Sequence, residues 1–111
     1  WLAERPLWIE GDGWLVVHAG IHPTKGLRAT GRFEAMHMRR WRNRKRGNPY
    51  WWTVYQGDRL VIHGHDASTG LNDRRPYTLG LDTGCVKGGK LMGYLVEKDR
   101  LISVKSRTRP I

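Results

Sequence analysis

Short apolar runs separated by glycine-rich breaks cover most of this chain, a pattern that predicts strands rather than long helices. The segment PLWIEGDGWLVVHAG at 6–20 predicts two strands joined at Gly11-Asp12-Gly13, because Asp-Gly supplies the positive φ of a tight hairpin turn. Residues 60–62, Leu-Val-Ile, predict a further strand. LMGYLVEKDRLISVKS at 91–106 predicts a closing hairpin that turns near Lys98-Asp99. Four or five strands with at most one good helix therefore indicate a β-rich unit.

One short helix is predicted over residues 33–41, where Phe33, Met36 and His37 fall on one face at helical spacing. The segment GNPYWW at 47–52 then interrupts the chain. We interpret the aromatic cluster of Tyr50, Trp51, Trp52 and Tyr55 as core and rim packing, with a base-stacking platform for nucleic acid as the alternative.

Length and composition limit the class of protein. A chain of 111 residues with 39% hydrophobic content fits one small domain or a piece of a larger one. Trp1 stands where a translated chain has Met, so we expect a processed product, an excised piece or a fragment whose beginning lies upstream. No stretch approaches the ~20 apolar residues of a membrane span, and no signal-peptide pattern occurs, so no membrane partner is expected. The lone Cys85 excludes an internal disulfide framework and is typical of a reducing compartment, which predicts a cytoplasmic location.

A strong positive charge predicts an anionic partner. The formal net charge is +10 and the sequence pI is about 10.5. Six of the eight residues in RRWRNRKR at 39–46 are basic, and Trp41 could stack on a base. The alternative interpretation of this run is a solvated loop or helix end.

Two predicted strands, WLVVHAG and RLVIHGH, each end in histidine followed by small residues. Loops at strand ends bring side chains together, and glycine lets backbone approach, so this parallel favours a metal or phosphate site. A hydrogen-bonded structural imidazole is the alternative for each histidine. His63 and His65 would share one face of a continuing strand, but two ligands are too few for a structural zinc site.

Three segments carry a resemblance to a known family. VVHAGIHP at 16–23, YWWTVYQGDRLVIHGHDA at 50–67 and LGLDTGCVKGGKL at 79–91 resemble, in order and spacing, the C-terminal half of calcineurin-like metallophosphoesterases. The most similar branch holds bacterial diadenosine tetraphosphatases and serine/threonine protein phosphatases. The resemblance implies an α/β fold, the β-rich C-terminal half of a four-layer α/β/β/α sandwich.

The upstream signatures of that family, D-x-H, G-D-x-x-D-R-G and G-N-H, do not occur in this chain. The resemblance therefore implies that residues 1–111 are the C-terminal part of one metallophosphoesterase domain whose N-terminal metal-binding half is absent. That missing half would be a partner of this segment, and we expect the segment alone to be inactive.

The resemblance also implies roles for individual residues. His18 of the HAG motif and His65 of the GH motif match the two histidines that ligate the second metal ion. His63 occupies a position where relatives often have an aromatic residue, so we interpret it as structural. Asp66 and Asp82 are expected to orient the metal-ligating histidines without contacting the metal themselves.

The family places a phosphate-binding arginine in the helix after HAG. MHMRRW at 36–41 supplies Arg39 and Arg40 there, and we assign the catalytic role to Arg39, with both as substrate-binding residues. A surface role is the alternative for each. His22 is expected in a loop near His18, and no chemical role is predicted for His37.

The implied reaction is phosphoester hydrolysis by a dinuclear metal centre with a bridging hydroxide. The expected cofactors are two divalent ions, with Mn first and Fe or Zn as alternatives. The expected partner is a phosphorylated substrate, whether nucleotide, phosphoprotein or polyphosphate. Two rival interpretations are a small basic nucleic-acid-binding module without catalysis, which leaves HAG, GHD and LDTGC without a role, and a degenerate segment without activity.

Overall fold

The computed structural model describes residues 7–43, 45, 47–66, 68, 70–84 and 90–105. The elements in this part of the chain are β1 (Trp8–Gly11), β2 (Trp14–Val17), α1 (Arg32–His37), α2 (Trp51–Val54), β3 (Leu60–His63), β4 (Asn72–Arg74), β5 (Thr78–Gly80), β6 (Lys90–Leu95) and β7 (Arg100–Lys105). Short 3-10 turns lie at Leu27–Ala29 and Val96–Lys98. None of these described helices is long and apolar enough to cross a membrane.

Five strands form one mixed sheet in the order β1-β2-β3-β5-β4. The three central strands, β2, β3 and β5, run parallel, with Leu15 opposite Val61 and Val61 opposite Thr78. The two edge strands are antiparallel to their neighbours. Asp12 and Gly13 form the turn between β1 and β2, and the φ of Gly13 is 80°, so the predicted hairpin is confirmed. Parallel strands end at the same edge of the sheet, and this edge holds the candidate site.

The second sheet is the β6–β7 hairpin, which matches the predicted closing hairpin. Asp99, the last residue of the connection between β6 and β7, has a left-handed backbone conformation with φ 47°. Arg75, in the β4–β5 connection, donates to the Asp99 carboxylate over 2.9 Å and pairs with Asp73 over 2.7 Å. The Tyr94 hydroxyl is hydrogen-bonded to the same Asp99 carboxylate. These polar contacts join the hairpin to the edge of the five-stranded sheet.

The core lies on the face of the sheet that α1 and α2 cover. Leu15, Val17 and Val61 alternate along β2 and β3 and point to this face, as the two-residue period of a strand requires. Trp51 from α2 and Ala35 from α1 close the cluster, and Trp51 is only 1% exposed. A buried tryptophan removes a large apolar surface from water, so Trp51 is a main anchor of the two helices on the sheet.

The predicted helix over 33–41 is shorter than expected, because α1 ends at His37 and Met38 has an extended backbone. Phe33 and Met36 are also exposed rather than packed, and Ala35 is the buried residue of this helix. The chain leaves the helix because it pairs with a later segment: Arg40 forms a bridge with Tyr50, and the Trp41 amide donates to the Pro49 carbonyl over 2.7 Å. Tertiary pairing here overrides a helical sequence pattern.

Three elements were not predicted: α2, β4 and β5. The β4 sequence, Asn-Asp-Arg, has no strand propensity and is tolerated because β4 is an edge strand of the sheet. Thr78 and Leu79 of β5 are fully buried, but three residues are too few for a period to be recognised. The expected β-rich α/β class is nevertheless confirmed by the sheet that these elements complete.

Candidate functional site

Three side chains with potential chemistry follow three neighbouring parallel strands. His18 comes directly after β2, His65 lies two residues after β3, and Asp82 lies two residues after β5. In open α/β sheets, ligands bind beyond the carboxyl ends of the strands. The order β2-β3-β5 therefore places these residues along one edge, in the sequence His18, His65, Asp82.

The loop that carries His18 is fixed by the helices below it. The Ala19 amide donates to the Ala35 carbonyl over 2.8 Å, and Trp51 Nε1 donates to the Ala19 carbonyl over 3.1 Å. Gly20 lies against the Trp51 ring so closely that a Cβ at this position would be 2.4 Å from Trp51 Nε1. The glycine of HAG is therefore required by the buried indole, and the indole in turn fixes the backbone beside His18.

His65 reaches His18 through an unusual turn. The Gly64 amide donates to the His18 carbonyl over 2.9 Å, which ties the two loops together. His65 then adopts φ 74°, in the left-handed region that residues other than glycine rarely occupy. The imidazole rings of His18 and His65 come within 5.1 Å, centroid to centroid, with planes tilted by 53°. Backbone strain of this kind concentrates at functional sites, and here it accompanies the pairing of two imidazoles.

His63 has a different environment from its neighbour. Its side chain is buried, with the residue 7% exposed, and its ring packs edge-on against Trp51 at 4.8 Å. Gly80 makes room for it, because a Cβ there would lie 2.8 Å from the imidazole. Burial lowers the pKa of His63 to about 4, which keeps the ring neutral. The shared face expected for a continuing strand is absent because β3 ends at His63 and the backbone reverses at His65.

His37 lies close to the pair, although the sequence predicted no chemical role for it. Its ring contacts His65 edge-on at a centroid distance of 5.9 Å and packs against Phe33 at 4.6 Å. The end of α1 places His37 there, together with the hydrogen bond between Ala19 and Ala35 that docks the helix on the HAG loop. Nothing in the local sequence signals this contact, because it depends on packing between distant segments.

The two carboxylates order the loops beside the histidines. Asp66 Oδ1 accepts hydrogen bonds from the Ser68 amide at 3.1 Å and the Ser68 hydroxyl at 2.5 Å. Burial alone would raise the pKa of Asp66, but the Ser68 bonds and the positive charge of Arg39 outweigh it and lower that pKa. Asp82 Oδ1 accepts from the Gly84 amide over 3.1 Å, which forms a turn beyond β5. Residues 85–89 of the LGLDTGCVKGGKL segment, which include Cys85, lie outside the described residues.

Arg39 and Arg40 lie in an extended segment after α1, not on the helix where the sequence placed them. The charge of Arg39 contributes to the lowered pKa values of His65 and Asp66, so this arginine is within electrostatic range of the site. Arg40 instead lies over the Tyr50 ring, with Cζ 4.2 Å from the centroid. The adjacent arginines thus have separate surroundings.

The pKa of His65 is lowered by partial burial first, and then by the nearby His18, Arg39 and His37. A lowered pKa increases the fraction of neutral imidazole at pH 7, and the neutral form is the one that ligates metal ions. The electrostatic environment of the site therefore favours the neutral form of His65, which is the form that can ligate a metal ion.

A pocket of about 780 Å³ opens beside this cluster. Its wall includes basic, aromatic, acidic and hydroxyl side chains that come from distant parts of the sequence. They are His22, Phe33, Glu34, His37, Arg39, Arg40, Trp41, Arg42, Tyr50, Asp66 and Ser68. Residues 39–42 of the basic segment therefore line the same cavity as the residues next to the histidine pair. The predicted packing role of the aromatic residues is confirmed for Trp51 and Tyr55, which are buried.

The donor set suits a metal ion but is incomplete. Among the residues that the structure describes, no group of three or more His, Cys, Asp or Glu side chains is arranged to hold a metal ion. His18 and His65, with ring centroids 5.1 Å apart, supply two imidazoles, the ligand type that suits Zn, Mn or Fe. Two ligands fit such an ion, and further ligands are needed to complete its coordination.

Comparisons with known proteins show similarity to curated proteins and to solved structures. The chain is 33% identical over 115 aligned residues to the zinc-dependent endopolyphosphatase of Saccharomyces cerevisiae, covering 86% of this chain and 35% of that protein. It is 37% identical over 59 residues to the asymmetrical bis(5'-nucleosyl)-tetraphosphatase PrpE of Oceanobacillus iheyensis, covering 51% of this chain and 22% of that protein. No family model matches.

One similar solved structure is that of a candidate diadenosine tetraphosphatase, with a TM-score of 0.82 and 29% identity. The match covers 95% of this chain and 53% of that one, so the present chain spans about half of its structural relative and a smaller part of the curated ones. Both the sequences and the fold agree with the resemblance carried by HAG, GHD and LDTGC. The chain is thus related to the calcineurin-like metallophosphoesterases, and its sheet-rich α/β fold is shared with them.

Proposed function

We propose that this chain forms part of a metal-dependent phosphatase that cleaves phosphoester or phosphoanhydride bonds. The observation that carries the proposal is the meeting of the His18 and His65 rings at adjacent strand ends, 5.1 Å apart. Arg39 lies within electrostatic range of His65. An imidazole pair next to an arginine combines metal ligation with phosphate binding, the two functions that phosphate hydrolysis requires.

Within the proposal, His18 and His65 hold one divalent ion through neutral imidazole nitrogens. Asp66 and Asp82 keep the loops of the ligands in place, Asp66 through its bonds to Ser68 and Asp82 through its bond to Gly84. The remaining ligands, and a second ion, come from sequence that corresponds to the unmatched part of the longer relatives. We infer that the isolated 111 residues are inactive because these ligands are lacking.

Divalent ions, when bound, supply a water nucleophile of lowered pKa and screen the phosphate charge. Arg39 contributes from the protein side, because a guanidinium binds two phosphate oxygens and compensates negative charge that develops during the reaction. The name of the yeast relative specifies zinc, so we place Zn beside Mn as a candidate cofactor. A cytoplasmic location stays a prediction.

The names of the curated relatives specify a polyphosphatase and a bis(5'-nucleosyl)-tetraphosphatase, whose substrates both contain chains of phosphates. We therefore propose an oligophosphate substrate for the present protein. The basic residues at 39–42 line the pocket beside the candidate site. Binding of an oligophosphate there would account for their charge, so a separate nucleic-acid-binding function is not required.

The test measures hydrolysis of an aryl phosphate and of tripolyphosphate by the complete protein that contains this chain. Activity should require Zn or Mn, should disappear after exhaustive chelation, and should return when metal is added. The 111-residue chain alone, assayed under the same conditions, should release no phosphate above background. Undiminished turnover in chelator would contradict the metal mechanism, and turnover by the 111 residues alone would contradict the need for further ligands.

A further inference from the structure

Arg40 and Tyr50 line the pocket and form a stacked group together with Trp52. The Tyr50 and Trp52 rings lie 5.2 Å apart with an interplanar angle of 15°, and Arg40 Cζ lies 4.2 Å from the Tyr50 centroid. Arg40 Nη1 also donates to the Asn48 carbonyl at 3.3 Å. The Arg74 guanidinium, in turn, is hydrogen-bonded to the Trp52 carbonyl, which fixes the base of the stack.

This arrangement holds a guanidinium in a fixed position without neutralising it. Within the described part of the chain, no carboxylate forms an ion pair with Arg40. A guanidinium on an aromatic ring keeps its N–H donors in the plane of the group, where they can bind the oxygens of an anion. A side chain that is already ordered loses less conformational entropy on binding, so a stacked arginine is a favourable phosphate ligand.

The stack shares its pocket with the side chains near the histidine pair. His37, Asp66 and Arg39 line the same cavity as Arg40 and Tyr50. The volume of about 780 Å³ is typical of a site for a whole small molecule, not for a single phosphate group. A ligand that contacts both Arg40 and the side chains near the histidine pair must be extended and must carry negative charge beyond its reacting phosphate.

We propose that Arg40, held by Tyr50 and Trp52, is a distal phosphate subsite that recognises the second or third phosphate of an oligophosphate chain. The inference rests on the proposed function, which places the terminal phosphate beside His18 and His65. It adds the residue that selects a chain of phosphates over a single phosphate group.

The geometry favours phosphate over a nucleobase at this position. A guanidinium lies 4.2 Å from the Tyr50 centroid and the Trp52 ring stacks on Tyr50 at 5.2 Å, so the Tyr50 ring is occupied by its own neighbours. One Arg40 N–H donates to the Asn48 carbonyl, and the other N–H groups of this guanidinium match phosphate oxygens in geometry and charge. The base-stacking platform considered from the sequence is therefore not the role we assign to Tyr50.

Binding is measured by calorimetry on the chain in chelator at pH 7.5 and 150 mM salt, with tripolyphosphate, ATP and inorganic phosphate as probes. Arg40→Ala should weaken tripolyphosphate binding about tenfold or more, because a charge-assisted contact is lost. Arg40→Lys keeps the charge and the backbone bridge but loses the planar fork, and should give a smaller, severalfold loss. Binding of inorganic phosphate should change less than about threefold.

Arg100→Ala is the matched control, because it removes the same charge from an exposed position on β7, outside the pocket. Near-ultraviolet circular dichroism checks that each variant retains its tryptophan packing. If Arg40→Ala weakens tripolyphosphate binding no more than Arg100→Ala does, or if Arg40→Lys equals the wild type, the subsite is refuted.

Comparison of ATP with tripolyphosphate shows whether the recognised phosphates belong to a nucleotide or to an inorganic polyphosphate. ATP binding as sensitive to Arg40→Ala as tripolyphosphate binding supports a nucleoside oligophosphate, and a loss confined to tripolyphosphate supports an inorganic chain. Because binding is measured without metal, a selective loss with no hydrolysis by the complete protein would overturn the proposed function and leave the subsite intact. The reverse result, hydrolysis without selective loss, would overturn the subsite alone.

Discussion

The imidazole rings of His18 and His65 lie 5.1 Å apart at the ends of two adjacent parallel strands. Two backbone features create this relationship: the bond from the Gly64 amide to the His18 carbonyl, and the left-handed conformation of His65. Pairing of the strands alone would bring the loops near each other. The turn at residues 64 and 65 is what directs the second ring towards the first.

Replacement of either paired histidine should remove metal from the site. In the complete protein, His18→Ala and His65→Ala should each lower bound metal, measured by elemental analysis, and reduce turnover by at least a hundredfold at saturating metal. The reason is that each variant removes one imidazole ligand, and coordination sets both charge neutralisation and water activation.

His63→Leu is the matched control for these variants, because His63 is buried against Trp51 and Gly80. It should leave metal content near the wild-type value. Equal loss of metal in the His63 and His65 variants would instead indicate that the two residues chelate one ion together.

Gly20→Ala should destabilise the chain by about 1–3 kcal/mol, the usual cost of overpacking. The added Cβ would lie 2.4 Å from Trp51 Nε1, and the indole is too deeply buried to move aside freely. The free energy of unfolding is obtained from urea titration followed by tryptophan fluorescence. Gly93→Ala is the control, since a Cβ at Gly93 meets nothing within 4 Å and should change stability by less than about 0.5 kcal/mol. Equal effects at the two glycines would contradict the packing argument.

The stability of the chain should fall as the pH drops from 6.5 towards 4. Burial lowers the pKa of His63 from 6.5 to about 4, so the unfolded state takes up a proton in this range and the folded state does not. The contribution is fully present above pH 6.5, and linkage predicts a loss of about 2 kcal/mol at pH 5 relative to pH 7.5. Urea titrations of wild type and His63→Leu should show a smaller pH dependence in the variant. Identical slopes would show that His63 does not titrate in this way.

Arg39→Ala in the complete protein should lower kcat for every phosphorylated substrate by about 10²–10³, because a cationic group that faces the reacting phosphate is lost. Arg39→Lys should recover part of that loss, since it keeps the charge without the planar fork. Steady-state assays with an aryl phosphate and tripolyphosphate measure both effects. A kcat that falls only with tripolyphosphate would assign Arg39 to chain recognition instead.

Several features of this protein followed from local sequence. The Asp12-Gly13 hairpin, the β3 strand and the closing hairpin were predicted because turn residues and β-branched runs act over a few residues. The motifs around His18 and His65 also indicated that two strand ends carry related chemistry. Each of these signals depends on neighbours in sequence, so no tertiary information was needed.

Tertiary structure decided where the side chains of the site point. His63 and His65 are separated by one residue, yet only packing against Trp51 and the reversal at His65 place one in the core and the other beside His18. The contact of His37 with His65, the short α1 and the separate surroundings of Arg39 and Arg40 likewise depend on pairing between distant segments. The sequence determined which chemical groups lie at the strand ends, because turns and strands form locally. Long-range packing determined which of those groups meet, because burial and hydrogen bonding override local periodicity.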